Sequence, residues 1–227
     1  MSAVPLPKRL ESLLENSQNW QAPPPVDTIP IGIPEIDIAA GGLPRGCLTE
    51  IFGPLSSGRM SLLLSILAEA TARAEVCALV DAEDAFDPSS AAAAGVRLER
   101  LLWVRCPHSA EQALKAADLL VQGGGFGLVV MDLGDTSLQS AWRISLASWF
   151  RLRRAVEHTP TALVTVARQS NAKTCASLQL ECTRQRTDWS GTCGVSRLLR
   201  GAETRVAAAK KTKKSGICLP VFTAAAI

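Results

Sequence analysis

Tyrosine is absent from the 227 residues, and phenylalanine and tryptophan occur only five times each, so platforms on which unpaired bases could stack are scarce. Cysteine is present seven times, at positions 47, 77, 106, 175, 182, 193 and 218. The number is odd, no C-x-x-C pair occurs, and most of these residues sit among apolar neighbours. That pattern argues against a disulfide framework or a zinc site and for buried reduced thiols in a reducing compartment. No apolar run approaches the roughly 20 residues of a membrane span. The first residues, MSAVPLPKRL, lack the apolar core of a secretory signal, so a cytoplasmic protein is expected. A net charge of +3 is too small to announce a nucleic-acid partner, and any basic contact surface has to be local. What remains, 47% hydrophobic and 20% charged residues, is the composition of an ordinary globular protein with one large domain or at most two small ones.

In residues 8–16, KRLESLLEN, the leucines Leu10, Leu13 and Leu14 recur at helical spacing. The stretch APPPVD that follows cannot continue a helix. Residues 1–25 are therefore expected to be an arm, a short amphipathic helix on a proline-rich tether, and residues 26–227 the main domain. From there strands and helices alternate. CLTEIFG (47–53), EVCALVDAE (75–83), LERLLWVRC (98–106), GLVVMDL (127–133) and TALVTVA (161–167) carry the strands. Helices are expected over 60–74 and over 109–122, where Ser109 stands as the cap. A single long helix is expected over 138–157, with Leu138, Trp142, Leu146, Trp149 and Phe150 on one side and both tryptophans in the core. From about 176 the chain reads as strands. The sum is an α/β domain with a mostly parallel sheet, helices on both faces and antiparallel strands at the C-terminal end.

Ligands bind at the carboxyl ends of the strands in such a sheet. Three ends carry suggestive residues: Gly53–Met60, Asp81–Glu83 and Asp132. "GPLSSGRM" (53–60) has the outline of a phosphate-binding loop, GxxxxGK[ST], in which backbone N–H groups and a helix N-terminus face an anion. Its last two positions hold Arg59 and Met60 instead of lysine and a hydroxyl. Arg59 keeps the charge on a larger planar fork, and the Met60 thioether is a poor ligand for a hard cation.

The stretch "GGLPRGCLTEIFGPLSSGRMSLLLSILAEA" (41–70) resembles the nucleotide-binding segment of the RecA recombinase family. "VCALVDAEDAFDPSSAAAAGVRLERLLWVR" (76–105), "EQALKAADLL", "GLVVMDL" and "LLRGAETRVAAAKKTKK" (198–214) continue the likeness, from about residue 28 to 223. The resemblance implies a RecA-like core and a nucleotide site over Gly53, Pro54, Ser56, Ser57, Gly58, Arg59 and Met60. It matches Glu83 to the water-activating glutamate and Asp132 to the acid closing the second nucleotide-binding strand. Ser89 and Ser90 stand where the family places an aromatic against adenine, and Gln169 where it places a signalling glutamine. The family grips single-stranded DNA with two mobile loops, for which this chain offers only 133–140 and 168–175.

With lysine and hydroxyl gone, the expectation is a non-enzyme: Glu83 and Asp132 vestigial, no metal, and at most weak occupancy by ATP or phosphate. Within the family the chain is similar to the ImuA subgroup of bacterial mutagenesis cassettes. That likeness implies an adaptor in damage-induced translesion synthesis. Its partners would be an ImuB-like inactive polymerase homologue, RecA and an error-prone DNA polymerase, with weak DNA contact and self-association. Leu10, Leu13, Leu14 and Trp20 are the candidate partner interface. Arg151, Arg153, Arg154, Lys210, Lys211, Lys213 and Lys214 are candidates for DNA or an acidic partner, although solvated charge explains them equally well. Lys210 falls near a position from which RecA-type subunits reach a neighbour's nucleotide. Three other readings stay open: a recombinase-type ATPase, a SulA-like division inhibitor and a non-enzymatic single-strand binder.

Overall fold

The computed structural model describes residues 27–190, 198–210 and 213–224. Leu10, Leu13, Leu14 and Trp20 of the expected arm, and Lys211, lie outside the described residues.

A short ribbon of β1 (Thr28–Ile29) and β2 (Leu43–Pro44) flanks helix α1 (Pro34–Ala40). The main sheet is built from β3 (Leu48–Phe52), β4 (Cys77–Asp81), β5 (Leu101–Arg105), β6 (Leu128–Leu133), β7 (Ala162–Ala167), β8 (Leu178–Ser190), β9 (Leu198–Lys210) and β10 (Lys213–Ala224). Its order is β10-β9-β8-β3-β7-β6-β4-β5. Every pairing from β8 to β5 is parallel, whereas β9 and β10 are added antiparallel. The α/β architecture expected from the alternation is the one observed.

The central strands are apolar on both faces because helices cover both. Ile51, Leu79, Val130 and Val164 point toward α2 (Arg59–Ala72) and α3 (Pro88–Ala93). Their neighbours along the strands, Val80, Val129, Met131 and Leu163, point toward α4 (Ala110–Gly123) and α6 (Leu146–Val156). This alternation of period two places one apolar layer on each side of the sheet. Ser109 caps α4 as expected, its hydroxyl accepting from the Gln112 amide. No described helix is long and apolar enough to cross a membrane. Among the described residues, cysteines 47, 77, 106, 175 and 182 form no disulfide, and burial pushes Cys77 and Cys182 up to about 12.

The long helix expected over 138–157 is two helices, α5 (Leu138–Trp142) and α6. Ser145 is the reason: its backbone is extended and its hydroxyl accepts from the Ser148 amide, so it starts a new helix. The break rotates α5 out of register. Trp149 is 1% exposed, but Trp142, expected in the core, is 63% exposed. Leu146 and Phe150 are exposed as well.

Candidate phosphate-binding site

Strand β3 stops at Phe52, and residues 53–58 turn the chain into α2. Two glycines make that turn possible. A Cβ on Gly53 would stand 2.1 Å from the Cys182 carbonyl oxygen of β8, so only glycine fits there. Gly58 has φ of +89° and closes against β9, since a Cβ there would stand 2.4 Å from Thr204 Oγ1. The loop is therefore pressed on two sides by the late strands. β9 runs antiparallel to β8, with Thr204 opposite Arg184, and this direction brings its early residues to the carboxyl end of the sheet.

A cleft of about 490 Å³ opens beside the loop, lined by Ser57, Arg59, Met60, Asp132, Asp135 and Thr204 among others. Arg59 is not a surface fork. It is buried, and its Nη1 donates to the Gly134 carbonyl 3.1 Å away. Burial pulls its pKa down, while Asp132 and Asp135 push it back up. Met60 lies on the first turn of α2, 37% exposed, and brings no oxygen to the cleft.

Asp132 ends β6 one residue before the strand's last, opposite Val166 of β7. Its Oδ1 accepts the Gly134 amide at 2.7 Å. Burial raises its pKa to about 6, with Asp81 and Asp135 adding to the rise while the Gly134 amide and Arg59 oppose it. Gly134 is thus held on both sides, its amide by Asp132 and its carbonyl by Arg59. Arg168, just past β7, also donates to the Gly134 carbonyl through Nε at 3.3 Å, and through Nη2 to the Asp135 carbonyl at 3.2 Å.

Glu83 does not join this group. It lies outside the residues lining the cleft and pairs with His108 Nδ1 at 2.9 Å. The reason is Asp81, whose buried carboxylate gathers the amides of Glu83, Ala85 and Phe86 and the indole N–H of Trp103. That knot turns the chain sharply at the end of β4 and directs Glu83 toward β5. Ser89 and Ser90 form the first turn of α3, their amides donating to the cap residue Asp87. Gln169 lines a separate groove with Trp142, Leu146 and Ser170.

The basic candidates are partly engaged within the domain. Arg151 faces Asp118 at 3.4 Å and Arg153 pairs with Glu157 at 2.9 Å, whereas Arg154 is exposed. Lys210 and Lys213 stand opposite each other at the β9–β10 turn, and Lys214 follows on β10.

Two features escape a reading of the sequence. Glu50, fully buried in β3, accepts from Ser170 Oγ, the amides of Asn171 and Ala172, and Gln179 Nε2 over 2.6–2.9 Å. In sequence it is one acid inside an apolar strand, and nothing marks its distant donors. Second, the hydroxyls of Ser57 and Thr204 are buried at the loop without any hydrogen bond to protein. Such groups cost on the order of 1–3 kcal/mol each unless something polar meets them.

An open, mostly parallel sheet with a glycine-bounded loop feeding a buried helix, an acid at a strand end and a cleft between them is the architecture of a phosphate-loop protein. The RecA N-terminal domain model matches residues 11–139, and the chain belongs to the RecA family. Protein RecA of Methylococcus capsulatus is 50% identical over 109 residues, which is 47% of this chain and 31% of that protein. Protein RecA of Ectopseudomonas oleovorans is 47% identical over 109 residues, again 47% of this chain and 31% of that protein. Protein RecA of Teredinibacter turnerae is 44% identical over 112 residues, 49% of this chain and 32% of that protein. The chain thus aligns with about a third of the length of these relatives.

The expectation of a non-enzyme is corrected by this result. The family match spans residues 53–60, and the relatives are RecA proteins close in sequence. Against that background Arg59 and Met60 do not by themselves make a chain inactive.

Proposed function

We propose that this chain is a RecA-like adaptor of damage-induced translesion DNA synthesis, similar to the ImuA subgroup, with a cleft that takes a phosphate-bearing ligand. It docks an ImuB-like inactive polymerase homologue and, in the same assembly, an error-prone DNA polymerase. RecA and DNA are further contacts. The arm residues Leu10, Leu13, Leu14 and Trp20 form the docking element, because apolar helical faces and exposed aromatics anchor interfaces.

What supports this reading is the state of the two segments that grip DNA in the family. Only residues 134–137 separate β6 from α5. The segment after β7 is short too, and it is tied down. Glu50 takes Ser170, Asn171 and Ala172, while Arg168 is bound to the backbone of Gly134 and Asp135. Segments fastened to the core in this way are ill suited to wrap a strand of DNA. The fold and its surfaces for docking remain, and the phosphate cleft remains with buried cation and hydroxyls on its walls.

Removal of the chain from its host tests the reading. Damage-induced mutagenesis falls to the uninduced level while homologous recombination is unchanged. Lost recombination with mutagenesis intact would overturn the proposal.

A further inference from the structure

Thr204 is separated from the phosphate loop by well over a hundred positions, yet the two touch. Its side chain is 4% exposed, its Oγ1 forms no hydrogen bond to protein, and it lines the cleft beside Arg59. It leaves room only for glycine at position 58, the residue that caps α2. The 14 residues of α2 begin there, so the helix amides and dipole open on the same space. Three facts meet at this point: a cation, a helix N-terminus and a buried hydroxyl with nothing in the protein to bond. A hydroxyl in that position is stripped of water without compensation unless a ligand oxygen comes to it. The helix itself offers no hydroxyl at position 60, which is Met60.

Building on the phosphate-bearing ligand read for this cleft above, we infer that Thr204 is a ligand-binding residue, its hydroxyl donating to a phosphate oxygen held over the start of α2. The antiparallel strand β9 thereby supplies from the side a hydroxyl that the helix lacks at position 60. The ligand class is the phosphate tail of a nucleoside diphosphate or triphosphate, and inorganic phosphate shares the same chemistry. A divalent cation accompanying the nucleotide offsets the repulsion between its phosphates and the carboxylates of Asp132 and Asp135. Loop and β9 then grip one anion between them, which explains why the loop is packed so closely against β9 at Gly58.

Calorimetric titration of ADP with Mg²⁺, and separately of inorganic phosphate, into the full chain and its Thr204→Val and Thr204→Ser variants tests the assignment. Thr204→Val keeps the shape and removes the hydroxyl. Its affinity for ADP falls about tenfold, and Thr204→Ser restores it to within about twofold. In thermal unfolding without ligand, Thr204→Val melts at the same or a higher temperature than the parent, because the lost hydroxyl had no partner. A purely structural threonine would instead lower the melting temperature, and that outcome overturns the assignment. Unchanged ADP affinity in Thr204→Val overturns it too, while leaving the phosphate cleft standing. Failure of the parent chain to bind either ADP or phosphate overturns the cleft reading and this assignment together. Parallel losses for ADP and phosphate place the hydroxyl on the shared anion. A loss confined to ADP places it on a phosphate that only the nucleotide presents.

Discussion

Arg59 and Gly134 are joined by a single hydrogen bond of 3.1 Å that crosses from the start of α2 to the turn after β6. The same carbonyl receives Arg168 from the end of β7, so three carboxyl ends of the sheet meet at one backbone oxygen. Asp132 accepts the amide of that same glycine. The phosphate loop, the acidic strand end and the segment after β7 are therefore not independent parts. Movement of the Arg59 guanidinium toward an anion in the cleft would loosen the other two.

Asp132 gives this cluster a measurable pH signature. Its carboxyl titrates at about 6 in the folded protein against 3.8 for an ordinary aspartate. The folded state thus holds the proton more tightly than the unfolded chain. The contribution is most favourable below pH 4 and is lost as pH rises through 6, by about 3 kcal/mol at most. Asp132→Asn keeps an oxygen for the Gly134 amide and removes the titration. In denaturant unfolding, the stability difference between Asp132→Asn and the parent grows from pH 4 to pH 7 in favour of the variant. Arg59→Met, which removes the opposing cation, moves the Asp132 midpoint higher still, read by carboxyl carbon chemical shifts. A difference that does not vary with pH would mean that Asp132 is solvated.

Glu50 makes the second prediction. Its two oxygens serve four donors. In Glu50→Gln one oxygen becomes an NH₂ group that faces donors, leaving Gln179 or Ser170 unmatched. The variant is expected to lose about 2–3 kcal/mol in urea unfolding. Amide exchange at Asn171 and Ala172 accelerates by more than the global loss accounts for. Unchanged exchange at those two amides would contradict the anchoring role of Glu50.

The split between α5 and α6 is tested with its two tryptophans. Trp149→Ala opens a void in the core and costs about 3–5 kcal/mol. Trp142→Ala removes an exposed ring and changes stability by no more than about 0.5 kcal/mol. Equal losses at the two positions would restore the single continuous helix.

Much of this was legible in the residues because the signals were local. β6 and β7 are six-residue runs with a single polar residue each, Ser109 stands three residues ahead of the amide it caps, and the glycines at 53 and 58 bracket a turn. Trp142 was misplaced because apolar spacing alone cannot tell a continuous helix from two helices, and the competing signal was one serine at 145. Glu83 stands apart from the cleft for a related reason: past the end of β4, Asp81 bends the chain through three backbone amides that no side-chain pattern advertises. Thr204 and Glu50 were out of reach altogether. Their roles depend on long-range register, and β8 and β9 slip past one another between Arg184 and Arg186. Arg59 and Met60 are two positions in a segment that otherwise is close in sequence to RecA proteins, and two residues do not decide activity against that similarity.

Docking through the arm is the central claim, and titrating an ImuB-like polymerase homologue against the full chain measures it directly. The account predicts a saturable complex without DNA, weakened at least roughly thirtyfold when Leu10, Leu13 and Leu14 are all changed to aspartate. A parent chain that stays free throughout the titration, or a complex indifferent to those three changes, would contradict it.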